Sequence, residues 1–258
     1  MTGAQASHCG SVSAISLGLP VSTAIPEAKG ILPKALFVGK APISGKLKQR
    51  FVNEIESITM LALARSANTG LADGKLIPEV LIIGLKLTAK ATEIPSEVIE
   101  LIAGQRKSGI VFACVREVPF EGRTREECAF AVRRAQPGRA GHTLIYHVYA
   151  GDWQPAGECQ LELTGSTIDE LWASLCSQAI LGTTDFENLD ARIVQHGEIA
   201  RLEADVDKLT RDHQRAKNPA QRNEIYAKLH KAKTQLVCFV KFLWAVSAFL
   251  LVRLSGCF

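Results

Sequence analysis

Val80 to Leu87 is the stretch that most limits what this chain can become. It reads Val-Leu-Ile-Ile-Gly-Leu-Lys-Leu, with Lys86 as its single charge. A strand that alternates apolar and polar residues can leave one face in water. A near-continuous apolar run has to be covered on both. Further along, Pro95 and Ser96 open a helix whose inner residues are Val98, Ile99, Leu101 and Ile102, with Gly104 as its stop. Ile110 to Val115 then reads as a second buried strand. Strand, helix, strand in this order forms a right-handed βαβ unit if the two strands run parallel.

The flanking segments are expected to supply the cover. Residues 1–11 are small, polar and without periodicity, and are expected to be disordered. Val12 to Leu19 is read as a short helix, followed by a loop-rich stretch to Ala41 that contains one apolar piece, Ala35 to Val38. Ser44 is placed to cap a helix with a buried stripe of Leu47, Phe51, Ile55, Ile58 and Leu61. Asn68 to Gly74 reads as a turn. Glu127 to Arg134 and Thr143 to Ala150 form an antiparallel hairpin across the turn signal Gln136-Pro137-Gly138-Arg139. Cys159 to Leu163 adds an edge strand. Thr167 and Glu170 make a capping box for a helix carrying Leu171, Leu175, Ala179 and Ile180, closed by Gly182. The expected fold class is α/β, with α+β as the alternative. Residues 12–182 form a mixed sheet of about four or five strands with flanking helices, ahead of a C-terminal antiparallel helical hairpin of coiled-coil type.

That hairpin spans residues 189–236. Ile199, Leu202, Val206, Leu209, His213 and Ala216 recur at spacings of three and four, the mark of a helical seam. Lys217-Asn218-Pro219 interrupts it, since Asn is a good N-cap and Pro favours the first helical position. Ile225, Leu229, Ala232 and Leu236 resume the spacing. So short a connection makes the two helices antiparallel neighbours. Lys208, Arg211, Arg215, Lys217, Arg222, Lys228 and Lys231 give the hairpin a basic surface, which suits nucleic-acid phosphates or an acidic partner. A solvated helix surface is the plainer reading.

Net charge over the whole chain is only +4, so any basic surface has to be local. Seven cysteines are scattered and never form a C-x-x-C pair. They fit small apolar packing in a reducing cytoplasm better than a zinc site or a disulfide frame. No nucleotide-binding glycine loop or nucleophile elbow occurs, and no cofactor is implied. Glu54, Glu79 and Lys86 are the weak candidates for metal-dependent phosphodiester hydrolysis. Glu79 and Lys86 stand seven apart, where nuclease sites of the restriction type need a carboxylate and a lysine two apart on one strand. His147 is read as a half-buried strand residue, and neither it nor His142 has a second ligand at metal spacing. Arg123, Arg125, Arg133, Arg134 and Arg139, with Tyr146, Tyr149 and Trp153, could line a basic aromatic surface.

Beyond the hairpin, residues 237–258 are strongly apolar, with Phe239, Phe242, Leu243, Trp244, Phe249, Leu250 and Leu251. The uncharged run is shorter than the ~20 residues of a bilayer span, although Lys241 and Arg253 could snorkel and let the segment cross. A membrane anchor, a helix covering an apolar partner and an ending from an altered reading frame are the three readings.

Several phrases recur together in order: Leu17-Gly18-Leu19-Pro20, Ile31-Leu32-Pro33-Lys34 with Phe37, Phe51-Val52-Asn53-Glu54-Ile55, and Pro78-Glu79-Val80 with the strand after it. With the basic helical end from Leu209 to Leu236, they resemble a bacterial and archaeal family of uncharacterised proteins, domain-of-unknown-function family 4391. The likeness covers about residues 14–236. It implies a cytoplasmic accessory protein acting with a helicase or DNA methyltransferase in a restriction–modification or defence-like setting. It implies no catalytic residues. The apolar tail departs from the family's short polar ending.

Overall fold

A computed structural model describes residues 5–39, 43–136 and 144–254, with side chains up to residue 238. The chain divides into two compact units, Met1–Leu189 and Asp190–Phe258.

In the first unit, β1 (His8–Cys9) and β2 (Val12–Ser13) pair across Gly10, and two short helical pieces follow, α1 (Glu27–Gly30) and α2 (Ala35–Val38). Next come α3 (Gly45–Glu54), β3 (Ile55–Ala64), α4 (Ser66–Thr69), β4 (Val80–Leu87), α5 (Ser96–Ala103) and β5 (Gly109–Phe120). The unit finishes with β6 (Arg123–Ala135), β7 (Tyr146–Ala150), β8 (Gln154–Pro155) and α6 (Ile168–Leu181). One six-stranded mixed sheet runs β3-β4-β5-β6-β7, with β8 also on β6. β4 and β5 are parallel and joined through α5, while the other pairs are antiparallel. The α/β expectation with a strand–helix–strand centre therefore holds, and Ser44 caps α3 by accepting from the Leu47 amide at 3.1 Å.

Both faces of β4 are covered, as its composition requires. On one side Leu81, Ile83, Leu85 and Leu87 pack with Phe51 of α3 and with Val98, Ile99 and Ile102 of α5. On the other side lies the N-terminal segment, with α6 over the neighbouring β5 and β6. Gly84 faces Cys9 so closely that a Cβ would run into its side chain, and Gly109 stands in the same way against Trp172. Two glycines thus let cover reach the backbone of the central strands.

Several expectations are corrected. Residues 5–11 are ordered, with Cys9 buried and the Ser7 hydroxyl donating to the Met60 carbonyl at 2.6 Å. Val12 to Leu19 is no helix. It leaves β2 into a turn closed by Leu19 N–H on Ala14 C=O at 2.9 Å, with Gly18 at φ 79°. The stripe Ile55, Ile58, Leu61 belongs to β3 and does not extend α3. Register shifts between Ile55 and Ser57 and between Met60 and Ala62 break the strand alternation into a spacing of three, which imitates a helix. Residues 24–32 then bond along the outer edge of β3, through Ile25 N–H on Leu61 C=O at 3.0 Å and Leu32 N–H on Ile58 C=O at 2.9 Å. An otherwise open edge is covered.

β5 is longer than expected because it turns directly into β6 at Glu121 and Gly122, both at positive φ (47° and 75°). Two such residues make the tight turn that suits strand twist. The β6–β7 hairpin is present, with its turn outside the described residues. Cys159 to Leu163 joins no sheet; Leu161 makes a single backbone bond, to Leu17 at 2.9 Å.

Before β4, the loop at residues 75–77 is held by one carboxylate. Asp169, in the first turn of α6, accepts from the amides of Lys75 (2.7 Å), Leu76 (3.1 Å) and Ile77 (2.8 Å). Burial would raise its pKa, but these three donors outweigh that and hold it below the ordinary Asp value. A depressed folded pKa adds stability above the carboxylate range and loses it as pH falls through that range. Asp169→Asn should therefore cost about 1.5–3 kcal/mol at neutral pH, and in urea titrations its gap from wild type should close in acid. Gly84→Ala should cost about 1–3 kcal/mol by overpacking against Cys9, read as a lower denaturation midpoint.

Candidate nucleic-acid interface

The two carboxylates among the weak hydrolytic candidates fall at opposite ends of β4. The Glu54 carbonyl accepts from Thr88, just past the end of β4, while the Glu79 carbonyl accepts from Gly109, before its start. The length of β4, on the order of 25 Å at the usual rise per strand residue, separates them. Each carboxylate is already engaged. Glu54 is held by Arg50 at 2.8 and 3.1 Å. Glu79 is held by Arg65 and by Ser108 at 2.9 Å, and these bonds keep its pKa low against the pull of burial. Lys86 sits between Glu117 (3.3 Å) and Glu56 (3.6 Å), and the Glu117 bond raises its pKa. This trio cannot share one metal ion, and the described residues hold no group of three or more potential ligands.

The cysteines of the first unit are packed into its interior. Cys9, Cys114, Cys128, Cys159 and Cys176 are buried and form no disulfide with one another, and burial pushes the Cys9 thiol up to about 12. A thiol held neutral, as that of Cys9 is, is a poor nucleophile and a poor metal ligand. His147 is exposed, where a half-buried position was expected. Its ring meets Gln136 at 2.9 Å and the edge of Tyr149 at 6.3 Å. His142 and Arg139 lie outside the described residues.

Three arginines of β5 and β6 stack on aromatic rings at one sheet face. Arg116 lies 4.0 Å from the Trp153 ring centre, Arg125 3.9 Å from Phe120 and Arg133 3.8 Å from Tyr146. Three carboxylate contacts fix them: Arg116 and Arg125 both reach buried Glu127 (2.8 and 2.5 Å), and Arg133 reaches Glu100 (2.7 Å). The two guanidinium bonds depress the Glu127 pKa against its burial. An aromatic face already capped by an arginine, whose charge is already matched, is poorly placed to take a base and a phosphate. These stacks form a structural brace.

The hairpin differs. α7 (Leu189–Arg215) and α8 (Pro219–Leu254) are separated by three residues, and the Asn218 side chain caps α8 by accepting from Ala220 N–H at 2.9 Å. The two helices pack together. Leu202, Leu229 and Ala232 are buried, and Ile199, Val206, Leu209, His213, Ala216, Ile225 and Leu236 are half-buried. The expected seam is therefore the real one. His213 and Tyr226 face each other with ring centres 6.0 Å apart. Counted away from that pair along antiparallel helices, Arg211 comes level with Lys228 and Lys208 with Lys231.

Lys208, Arg211, Arg215, Lys217, Arg222, Lys228 and Lys231 are all exposed. Between Lys208 and Lys233 stand eight basic and two acidic residues, so the rest of the chain carries 22 basic and 24 acidic. The positive excess of the protein is thus confined to the hairpin tip. Among the described residues, the one ion pair within this set is Lys228–Glu224 at 2.7 Å. Earlier in α7 the pattern reverses, with Arg201 held by Glu198 (2.9 Å) and Asp205 (3.3 Å). One residue that periodicity did not flag is Tyr226, exposed off the seam beside the basic residues. Its signal was its offset from that seam.

α8 carries the backbone on through the apolar stretch to Leu254. The side chains of Phe239, Phe242, Leu243, Trp244, Phe249, Leu250 and Leu251 lie outside the described residues. Among the described residues, no helix is long and apolar enough to cross a membrane.

No curated protein matches the chain, and no solved structure does. The family model described as "Domain of unknown function (DUF4391)" matches residues 17–236. That span takes in the sheet, its covering helices and the basic hairpin up to the apolar stretch, and the chain belongs to the DUF4391 family.

Proposed function

We propose that the protein is a non-enzymatic binding module whose basic hairpin tip docks onto nucleic-acid phosphates. The reading rests on one observation: the positive charge of the tip is exposed and largely unmatched, while Arg116, Arg125 and Arg133 of the sheet end on carboxylates. Helix stability does not account for the pattern. Cations near the C-terminus of α7 would favour its dipole, but Arg222 stands in the first turn of α8, where the dipole disfavours a cation and where no acidic residue occurs. A charge placed against its own helix is explained by what lies outside the helix. Unpaired exposed cations lose little hydration until phosphates replace their counterions, so binding of this kind gains from counterion release. By family resemblance, the setting is an accessory role beside a helicase or DNA methyltransferase, with the α/β unit as scaffold.

The reading is tested with duplex DNA titrated at several salt concentrations. Affinity should fall steeply between about 50 and 200 mM salt. Reversing Lys208, Arg211, Arg215 and Lys217 to Glu should abolish measurable binding, and neutralising them singly should flatten the log–log salt slope by about 0.9 per lost phosphate contact. Unchanged affinity in the reversed variant would remove the hairpin from the interface.

A further inference from the structure

We propose that the hairpin tip selects single-stranded nucleic acid, with the Tyr226 ring stacking on an unpaired base while neighbouring cations hold the phosphates. The inference rests on the phosphate-binding reading above and narrows it to one class of ligand.

Tyr226 is 57% exposed, although it sits in a pair of packed helices with an apolar seam available. Ile225, Leu229 and Ala232 of α8 fill that seam instead, leaving the tyrosine to its side. The ring is nevertheless oriented, by His213 of α7 at 6.0 Å and 48° and by His230 one turn on at 6.4 Å and 40°. An aromatic that is both exposed and held in place loses little conformational freedom when it takes a flat partner. Arg222 lies one turn before it and Lys233 two turns after it on the same face of α8. Aromatic and cation are thus interleaved along a helix surface, the arrangement that lets backbone charge and base faces be read together.

A duplex offers that surface only half a ligand. Its phosphates are available, but its base faces are buried in the stack, and a ring fixed on a convex helix has no path to them. In a single strand the base faces can swing out one at a time. Tyr226 therefore contributes to a single strand and adds nothing to a duplex. The sheet arginines offer no equivalent, since Phe120, Tyr146 and Trp153 are already covered by guanidinium groups.

The test uses the full chain and three fluorescein-labelled probes read by anisotropy: a thymidine oligonucleotide, an abasic strand of equal length and a duplex. Wild type should bind the thymidine strand more tightly than the abasic strand. Tyr226→Ala should lose roughly 5- to 100-fold affinity for the thymidine strand, with the duplex and abasic strand bound as by wild type. Tyr226→Phe, which keeps the ring, should match wild type throughout. Circular dichroism checks the hairpin; if the alanine variant loses helix, the phenylalanine variant and the abasic probe decide the matter. Equal binding of thymidine and abasic strands by wild type overturns the inference, as does a folded Tyr226→Ala that binds thymidine like wild type. Binding of all three probes without preference would leave the phosphate reading standing and this one refuted. Binding of none at low salt would refute both.

Discussion

Burial of the β4–β5 pair on both faces is the constraint from which the α/β unit follows. Neither strand can tolerate water, so the chain must bring two layers of apolar cover to the same backbone. The crossover between the parallel strands supplies one layer as α5, joined by α3. The second layer comes from the two ends of the unit in sequence, the N-terminal segment and α6. Gly84 and Gly109 sit where that layer comes closest, and their missing side chains make room for Cys9 and Trp172. Asp169 then ties α6 back to the loop that feeds β4, so the cover and the covered strand share an anchor.

How far the fold could be read from the residues depended on how local each signal was. The strand at Val80, the helix at Ser96 and the helix after Thr167 carry their own periodicity and stop signals, and they stand where expected. β3 does not, because two bulges turn a strand into a spacing of three that a helix would also produce. The N-terminal segment looks polar and small, and its order comes from partners remote in sequence: Ser7 on Met60, Cys9 on Gly84. Nothing in residues 5–11 themselves encodes those contacts. The β5–β6 turn was missed because it is built from Glu121 and Gly122, and a glutamate at positive φ carries no turn signature of its own.

The hairpin was legible for the opposite reason. Its seam and its charges are contiguous in the chain, and contiguous patterns survive without knowledge of the fold. Glu54, Glu79 and Lys86 illustrate the reverse. Their spacing in sequence already made them weak candidates, and the pairing of β3 with β4 adds that the strand holds the two carboxylates apart. Tyr226 falls between these cases. It is local, but it belongs to no repeat, so a search for periodicity passes over it.

Net charge is a poor guide to the site, and the distribution of charge pairing is a better one. A total of +4 describes a mildly basic protein, whereas the chain outside the tip is slightly acidic. Within the α/β unit, Arg50, Arg116, Arg125 and Arg133 each end on a carboxylate, and such closed pairs have little left to offer a ligand. At the tip the cations face solvent, two helices bring like charges to the same level, and the repulsion is left standing. Like charges so gathered lower the stability of the isolated hairpin by an amount that an anionic ligand would return on binding. The cost is borne where the helices are most exposed and screening is strongest. It therefore stays small enough for the fold to carry while no ligand is bound.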